Sequence, residues 1–317
     1  MNILITGASG FIGGELVESL KNNDMTLRLF VRDKDKVKSD QDLEVIEGDI
    51  SDALSVAVAC KNIDVVVHLA AAMSGDWDWH KRVTISGTNN IISACRSNNV
   101  KHLIYISTIN VYDSNSYKDG VTVDENFKLE ENPEFRGAYS GAKLLAEQKV
   151  AEATDILSTI LRPGLVYGQS NKIISADVAL HLFKNLYAYI GDGSRKLPMI
   201  YVSNLANAIV KVVEASPSSS MIYNVVDRDS PTQRQVVDIY NNYSKTKIIC
   251  ISFPKWLVKI PISIIDVVFK VLGKNKHIMY RANTFFVSPV VNSDKFRKAY
   301  RWESGCSFSE SIKSIIK

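Results

Sequence analysis

Residues 2–13 read Asn-Ile-Leu-Ile-Thr-Gly-Ala-Ser-Gly-Phe-Ile-Gly, and this stretch decides the fold. A strand-length apolar run, Asn2–Thr6, leads directly into three spaced glycines and then into a helix-length segment. Glycines let the backbone approach a pyrophosphate closely, and the N–H groups that begin a helix attract its charge. The glycine spacing alone is weak evidence for dinucleotide binding. The preceding strand and the following amphipathic helix supply the context that such binding requires. The stretch therefore predicts a dinucleotide-binding turn that includes Gly7, Ser9, Gly10, Phe11, Ile12 and Gly13.

The remainder of the first half keeps the same order of strand followed by helix. Further strands are predicted at Thr26–Val31, Leu43–Glu47, Val65–Leu69, His102–Ser107 and Ser158–Leu161. The helices are predicted at Phe11–Asn22, Asp52–Cys60, Asp78–Asn98 and Ala138–Ala153. Short, nearly continuous apolar strands are typical of a parallel sheet that is covered on both faces. The sequence therefore predicts an α/β fold with a doubly wound parallel sheet (Rossmann).

The second half is less regular and predicts a smaller mixed C-terminal substrate domain. Its helices are predicted at Asp177–Leu186, Asn204–Ala215, Thr232–Tyr243 and Ser309–Ile316. Its short strands are predicted at Met199–Tyr201, Ile222–Val226 and Lys247–Ile251. We therefore assign residues 1–165 to the dinucleotide-binding domain and residues 166–317 to the substrate domain, with an element near 199–226 that returns to the first domain.

The composition excludes several classes of protein. A length of 317 residues predicts about two domains. With 46% hydrophobic and 23% charged residues, the composition is that of a globular protein and excludes a disordered or fibrous one. A net charge of +4 gives no electrostatic reason to expect nucleic acid. The four cysteines and five histidines are dispersed, so we expect neither a disulfide framework nor a metal site. The reduced cysteines and the lack of a signal-peptide pattern predict a cytoplasmic protein.

Two segments stand apart from this pattern. Residues 113–135 form a long insertion with seven acidic residues and two lysines, which is either a solvated surface excursion or a flap over a site. Trp256–Gly273 is apolar, but charged residues and Pro261 interrupt it too often for it to span a bilayer. We expect a helix on the substrate domain there, and peripheral contact with a membrane surface is the alternative.

The end of the second strand bears on the choice of cofactor. A carboxylate there accepts hydrogen bonds from the adenosine ribose and selects NAD, whereas a guanidinium pairs with a 2′-phosphate and selects NADP. The strand ends in Arg32, and Asp33 follows it. Arg32 favours NADP over NAD, although a shift of one residue would restore the carboxylate.

Tyr139 and Lys143 lie four residues apart in a predicted helix and therefore share a face. An ammonium beside a phenol favours the phenolate and lowers the tyrosine pKa from ~10 toward neutrality. Such a tyrosine can exchange a proton with a substrate oxygen while hydride moves between the adjacent carbon and a nicotinamide. The pair therefore predicts a catalytic acid/base and its partner.

These features together resemble the extended short-chain dehydrogenase/reductase family, and the resemblance runs nearly from end to end. The glycine spacing TGxxGxxG, the YxxxK pair and the segment Tyr105–Tyr112 carry it. The resemblance implies that Thr108 hydrogen-bonds the reacting oxygen and that Lys143 also holds the nicotinamide ribose. Thr84 departs from the family, which often has asparagine there.

The resemblance also implies roles for single residues beyond the glycine turn. The cofactor is expected to contact Arg32, Asp49, Ile50, Leu69, Ala70, Ala71, Ser107, Tyr139, Lys143, Pro163 and Val166. The substrate is expected to contact Met73, Thr108 and Arg195, and Arg195 is the candidate that holds a nucleotide diphosphate. Asp49 and Thr108 could instead cap local turns, and Arg195 could be a surface residue.

The resemblance implies an enzyme that acts at a hydroxyl or keto carbon of a nucleotide sugar, as an epimerase or a reductase. A hydroxysteroid- or dihydroflavonol-type reductase is an alternative that would have an apolar pocket without a basic clamp. A sensor or scaffold that binds NADP without catalysis is a third possibility, although such chains usually lose the Tyr/Lys pair. Family members commonly pair through the helix with Tyr139 and the helix near Thr88, so we expect a homodimer.

Overall fold

The computed structural model describes residues 1–21, 25–37, 43–169, 173–215, 217–273 and 277–316. Its strands are β1 (Asn2–Thr6), β2 (Thr26–Val31), β3 (Leu43–Glu47), β4 (Val65–His68), β5 (His102–Ile106), β6 (Thr122–Val123), β7 (Ser158–Pro163), β8 (Leu165–Tyr167), β9 (Leu180–Phe183), β10 (Leu186–Ile190), β11 (Met199–Tyr201), β12 (Met221–Val225), β13 (Ile249–Phe253) and β14 (Val290–Val291). Its helices are α1 (Phe11–Leu20), α2 (Ala53–Ala59), α3 (Trp77–His80), α4 (Gly87–Ser97), α5 (Ala138–Glu152), α6 (Val202–Glu214), α7 (Gln233–Tyr243), α8 (Lys255–Val271), α9 (Ile278–Ala282), α10 (Asp294–Tyr300) and α11 (Phe308–Ile316).

Seven strands form one parallel sheet in the order β12-β7-β5-β4-β1-β2-β3. The helices α1 and α6 cover one face, and α2, α4 and α5 cover the other, so the strands are buried between two apolar layers. The predicted α/β fold with a doubly wound sheet is confirmed. The strand order reverses between β1 and β4, and the carboxyl ends of strands on either side of such a point form the crevice where ligands bind.

A smaller part of the chain packs beyond the carboxyl end of this sheet. It contains the sheet β13-β10-β9, the pair β11-β8 and a separate apolar core to which α7 and α11 contribute. The strand β12 and the helix α6 rejoin the first sheet, within the stretch expected to return. Phe296 and Trp302 also pack into the first core, which the sequence did not suggest. The boundary at residue 165 and the homodimer remain predictions.

The helix predicted at Asp177–Leu186 is wrong. This stretch contains β9 and leads into β10, and the two strands pair antiparallel through a turn at Lys184 and Asn185. Lys184 has a φ of 48°, the left-handed conformation that closes such a turn. The sequence Leu-His-Leu-Phe carries apolar residues that fit a strand as well as a helix, so its short periodicity does not distinguish the two.

The acidic insertion 113–135 is fixed to the body of the protein. Its strand β6 pairs with β14, and the small core of Tyr112, Val123, Val226 and Val291 lies beneath it. The Tyr280 phenol donates to both oxygens of the Glu130 carboxylate, at 2.6 and 2.5 Å. These contacts favour the packed surface excursion over a free flap.

Candidate active site

The glycine turn between β1 and α1 admits no side chain at two positions. Gly7 has a φ of 74°, and a Cβ there would lie 2.9 Å from the Ala70 amide nitrogen. A Cβ on Gly13 would lie 2.2 Å from the Gly7 carbonyl oxygen. Gly10 precedes α1 without a side-chain cap, and the first turn has no acidic residue. The first amide groups of α1 are therefore available to an anion such as a pyrophosphate.

The turns after β2 and β3 bring the Arg32 charge close to Asp49. Arg32 is exposed, whereas the Asp33 carboxylate turns back to accept a hydrogen bond from the Asp35 amide at 3.1 Å. Hydrogen bonds from Ser51 and the charges of Arg32 and Arg82 hold the pKa of Asp49 below its ordinary value. The arrangement presents a guanidinium at the end of β2 and directs the neighbouring carboxylate elsewhere.

His68, at the end of β4, is a packing residue. Its ring nitrogens hydrogen-bond Thr6 Oγ1 at 2.7 Å and Thr88 Oγ1 at 3.1 Å. Burial lowers the pKa of His68 to about 3, so the ring is neutral. The following residues Leu69, Ala70 and Ala71 are partly buried, and the last predicted substrate contact in this loop, Met73, is 76% exposed.

The helical segment after this loop contains an irregular section. Residues Lys81–Ser86 form a π-helix between α3 and α4, a feature that often marks functional sites. Thr84, which replaces the family's asparagine, lies in this section and accepts a hydrogen bond from the Ala72 amide at 3.0 Å. Its hydroxyl therefore holds the loop after β4 in place. Ile50 packs against this segment at Gly87, where an added Cβ would lie 3.0 Å from the isoleucine.

Thr108, Tyr139 and Lys143 lie together beyond the carboxyl end of β5. The Thr108 side chain hydrogen-bonds the Tyr139 phenol and also accepts from the Asn110 amide at 3.2 Å, so it both caps a turn and contacts the tyrosine. Lys143 Nζ donates to the Ile106 carbonyl oxygen and lies 4.3 Å from the centre of the Tyr105 ring. The ammonium is thus directed at the end of β5.

The predicted effect of Lys143 on the tyrosine is wrong for this arrangement. Burial raises the pKa of Tyr139 above its ordinary value, and the hydrogen bond from Thr108 only reduces that rise. Burial also lowers the pKa of Lys143 to about 7, while the Glu147 carboxylate acts in the opposite direction. The structure therefore holds Tyr139 as a neutral phenol, which is the form that donates a proton.

The sequence interpretation missed the buried carboxylate of Glu147, one further helical turn along α5. Glu147 accepts a hydrogen bond from Ser107 at 2.5 Å and forms an ion pair with Arg162 at 2.5 Å. The two charged side chains are only 2% and 1% exposed, respectively. Arg162 also donates to the Tyr112 hydroxyl at 2.8 Å. The sequence could have indicated this residue, because residues 139, 143 and 147 are spaced four apart and share one helical face.

A second missed residue is His80, at the end of α3. Its ring lies edge-on to Tyr139, with 6.3 Å between ring centroids. The side chain is 2% exposed, and Nδ1 has no hydrogen-bond partner among the described residues. Burial lowers the pKa of His80, which favours the neutral ring. The phenol therefore has an imidazole and a hydroxyl as its polar neighbours.

The remaining predicted contacts lie at the end of β7 and in the smaller part of the chain. Pro163 ends β7 and Val166 lies in β8, which follows it directly. Arg195 donates to the Asp177 carbonyl oxygen and lies 5.9 Å from the centre of the Phe285 ring. Its Nε has no partner within the part of the chain that the structure describes. Arg195 is therefore held inside the smaller part of the molecule and is not a free surface arginine.

Comparison with known proteins adds to this geometry. Residues 4–234 match the model of the 3-beta hydroxysteroid dehydrogenase/isomerase family. The chain is 30% identical over 220 residues to 2-alkyl-3-oxoalkanoate reductase of Stenotrophomonas maltophilia, a match that covers 68% of this chain and 66% of that protein. It is 25% identical over 315 residues to N-acetyl-alpha-D-glucosaminyl-diphospho-ditrans,octacis-undecaprenol 4-epimerase of Escherichia coli O157:H7, covering 96% and 92% of the two chains.

Solved structures share the whole fold. UDP-glucose 4-epimerase of Thermus thermophilus, in complex with NAD, superposes with a TM-score of 0.74 at 19% identity. The superposition covers 100% of this chain and 98% of that chain. At this level of identity the likeness establishes the fold, and the chemistry must be argued from the residues above.

Proposed function

The chain belongs to the 3-beta hydroxysteroid dehydrogenase/isomerase family, and we propose that it acts as an epimerase or reductase on a nucleotide sugar. It is an enzyme of the extended short-chain dehydrogenase/reductase type, as its sequence indicates, and its cofactor is a nicotinamide dinucleotide. The observation that carries the proposal is the grouping of Thr108, Tyr139 and Lys143 at the carboxyl edge of the sheet that begins with the glycine turn.

The residues of the site fit a bound dinucleotide. The amide groups at the start of α1 would hold the pyrophosphate, and the small residues Ala70 and Ala71 would leave room beside it. Asp49 and Ile50 would border the adenine. Lys143 would reach the nicotinamide ribose from α5. When bound, the nicotinamide supplies or accepts the hydride.

The protein's own residues then manage the proton. In the direction of reduction, Tyr139 donates the phenolic proton to the carbonyl oxygen of the substrate, and the raised pKa keeps that proton available at neutral pH. The Thr108 hydroxyl, which contacts the same phenol, orients the substrate oxygen. In the direction of oxidation, Tyr139 must first lose its proton, so positive charge near the phenol assists this direction. Epimerisation uses both directions in one turnover.

The proposal is tested by incubating the purified protein with oxidised cofactor (NAD⁺ or NADP⁺) and a panel of UDP-hexoses, and with NADH or NADPH and the 4-keto forms of those sugars, 3-ketosteroids or alkyl oxoacids. Products are separated by chromatography, and the nicotinamide absorbance is followed. An epimer formed without net change of the cofactor identifies an epimerase, and consumption of the reduced cofactor identifies a reductase. Turnover of 3-ketosteroids or alkyl oxoacids alone would contradict the nucleotide-sugar proposal.

A second candidate is a reductase of a small apolar substrate. The hydrogen bond that Arg195 donates to Asp177 favours it, because a guanidinium already engaged by the main chain is less available to a diphosphate. The S. maltophilia relative, named as a 2-alkyl-3-oxoalkanoate reductase, is consistent with this candidate. The nucleotide-sugar proposal has the support of Arg195 Nε, which has no partner among the described residues, and of the match to UDP-glucose 4-epimerase of Vibrio cholerae, which is 27% identical over 286 residues.

Arg195 decides between the two candidates. If it holds a diphosphate, Arg195→Ala removes a charge-assisted hydrogen bond worth about 1.5–3 kcal/mol, which raises KM for a UDP-sugar by about 10–100-fold. We expect kcat to change much less, because the diphosphate lies away from the reacting carbon. Steady-state kinetics of Arg195→Ala and of the adjacent exposed control Lys196→Ala measure this difference. An unchanged KM for the UDP-sugar would refute the clamp.

We also propose that the enzyme prefers NADP to NAD, on the strength of Arg32. Removing this guanidinium by Arg32→Ala is expected to weaken NADPH binding by about 10–100-fold and to leave NADH binding nearly unchanged, because only NADPH carries the 2′-phosphate. Fluorescence titration with both cofactors measures the selectivity, with Lys34→Ala as the matched exposed control. Tightly bound NAD in the purified protein, or an equal loss of both affinities, would overturn the preference.

A further inference from the structure

The helix α8 exposes its apolar side to solvent. None of its 17 residues is buried. The exposed apolar residues of the helix and its end are Trp256, Leu257, Ile260, Ile264, Ile265, Val267, Val268, Val271 and Leu272, which are between 43% and 81% exposed. A surface helix of a globular protein normally directs its apolar face toward the core. Therefore α8 exposes apolar side chains in addition to those that it packs against the protein.

The apolar surface is also unusually wide. At about 100° per residue, the nine exposed residues and Pro261 occupy roughly half of the helix circumference with no polar side chain among them. The less exposed residues Val258, Ile262 and Phe269 lie on a second arc, toward the protein. The polar residues Lys255, Lys259, Ser263, Asp266 and Lys270 occupy the narrow arc between the two. We call the wide exposed arc the outer face of α8.

The inner contacts of α8 fix the helix on the body. The Asp266 carboxylate accepts a hydrogen bond from the Ile278 amide at the start of α9, at 2.8 Å. The Lys259 ammonium lies 4.9 Å from the centre of the Phe286 ring. Arg281 of α9 donates in turn to the Phe135 carbonyl oxygen at 2.9 Å. The outer face is thus a defined surface of the folded protein, linked through α9 to the turn that precedes the catalytic helix α5.

We propose that the outer face of α8 docks the enzyme onto an anionic lipid bilayer surface. A half-circumference of apolar side chains suits a helix that lies in the plane of the membrane interface, with its apolar half among the acyl chains. On the polar arc Lys270 and Lys255 are exposed, the latter in a loose pair with Asp119 at 3.8 Å, whereas the Asp266 carboxylate is taken up by the Ile278 amide, so the exposed charge of this arc is positive and complements anionic headgroups. Trp256 stands at one end of the face, and tryptophan favours the membrane–water boundary.

The same observations weigh against the other occupants of an apolar face. If α8 paired with α8 of a second copy as in a coiled coil, the contact would cover only a narrow stripe of each helix. Most of the outer face would then remain exposed to solvent. A spanning helix is also excluded for the described part of the chain, where no helix is both long and apolar enough to cross a membrane. Peripheral docking is the arrangement that covers the whole outer face.

The test uses sedimentation of the full-length protein with vesicles of phosphatidylcholine alone or with phosphatidylglycerol added. We expect binding to the anionic vesicles and a loss of at least about tenfold in partition for Ile260→Gln/Ile264→Gln, because two apolar anchors are removed. Lys270→Glu should reduce binding to anionic vesicles by about tenfold or more, and added salt should mimic it. Leu54→Gln/Val58→Gln, at exposed positions of α2, is the matched control.

Thermal unfolding and cofactor affinity verify that each variant is folded, so a loss of vesicle binding cannot be mistaken for unfolding. The proposal is overturned if the protein sediments with neither vesicle, or if the α2 control loses as much binding as the α8 variant. It is also overturned if light scattering shows a dimer that Ile260→Gln/Ile264→Gln dissociates while vesicles bind neither form. These results are independent of the substrate, so they leave the proposed reaction untouched.

Discussion

Replacing Tyr139 with phenylalanine is expected to lower kcat/KM by about 10²–10⁴-fold, the range that a positioned general acid or base contributes. The substitution removes the hydroxyl that is proposed to exchange the proton and keeps the ring that fills the site. Because Tyr139 contacts Thr108 and His80 and does not form the pyrophosphate site, the affinity for the cofactor should change by less than about threefold.

The measurement is steady-state kinetics on the substrate identified by the panel, together with cofactor titration. Tyr243→Phe, at a 42% exposed tyrosine on α7, is the matched control and should retain full activity. Retained activity or biological function in Tyr139→Phe, with the cofactor still bound, would contradict the enzymatic role of this tyrosine. That outcome would favour the interpretation of the protein as a sensor or scaffold.

The sequence predicted the first half of the fold closely, because its strands are short, apolar and separated by helix-length segments. The boundaries of β1, β2 and β3 coincide with the predicted ones. The function of the glycine turn could be predicted because a strand precedes it and a helix follows it. The close backbone contacts at Gly7 and Gly13 explain why these two positions are glycine. Such local signals depend little on the remainder of the chain.

The parts that could not be predicted depend on contacts that are distant in sequence. The direction of the Lys143 ammonium follows from the Ile106 carbonyl at the end of β5, and the pKa of Tyr139 follows from burial. The apolar pattern of α8 indicates an amphipathic helix, but only tertiary packing determines which side meets the protein. The failed helix at 177–186 has the same cause, because a partner strand decided its conformation.

The ion pair of Glu147 and Arg162 illustrates how buried charge supports the site. Glu147 occupies the same helical face as Tyr139 and Lys143, and its carboxylate holds Ser107, the neighbour of Thr108. It also raises the pKa of Lys143 against the effect of burial. Glu147 thus holds the neighbour of Thr108 by a hydrogen bond and acts on Lys143 through its charge, and we propose it as a positioning residue.

Glu147→Gln is expected to destabilise the protein by about 3–5 kcal/mol, because it leaves the Arg162 guanidinium buried without a counter-charge. The same change should lower the pKa of Lys143 further below its present value of about 7, since the carboxylate that favours the ammonium is gone. A destabilisation of this size is a large part of the roughly 5–15 kcal/mol of a typical folded domain. Denaturant unfolding and the pH dependence of kcat measure the two effects separately.

Glu152→Gln is the matched control on the same helix. Glu152 forms an ion pair with Lys149, and the two side chains are 64% and 47% exposed, respectively. Exposed pairs contribute only about 0–1 kcal/mol to stability. If burial makes the Glu147 pair costly to break, the two variants must differ by several kcal/mol in unfolding free energy. Their pH profiles must differ as well, because Glu152 is not among the groups that affect the pKa of Lys143. Equal unfolding midpoints would show that Arg162 finds another partner, and an unshifted pH profile would remove Glu147 from the control of Lys143.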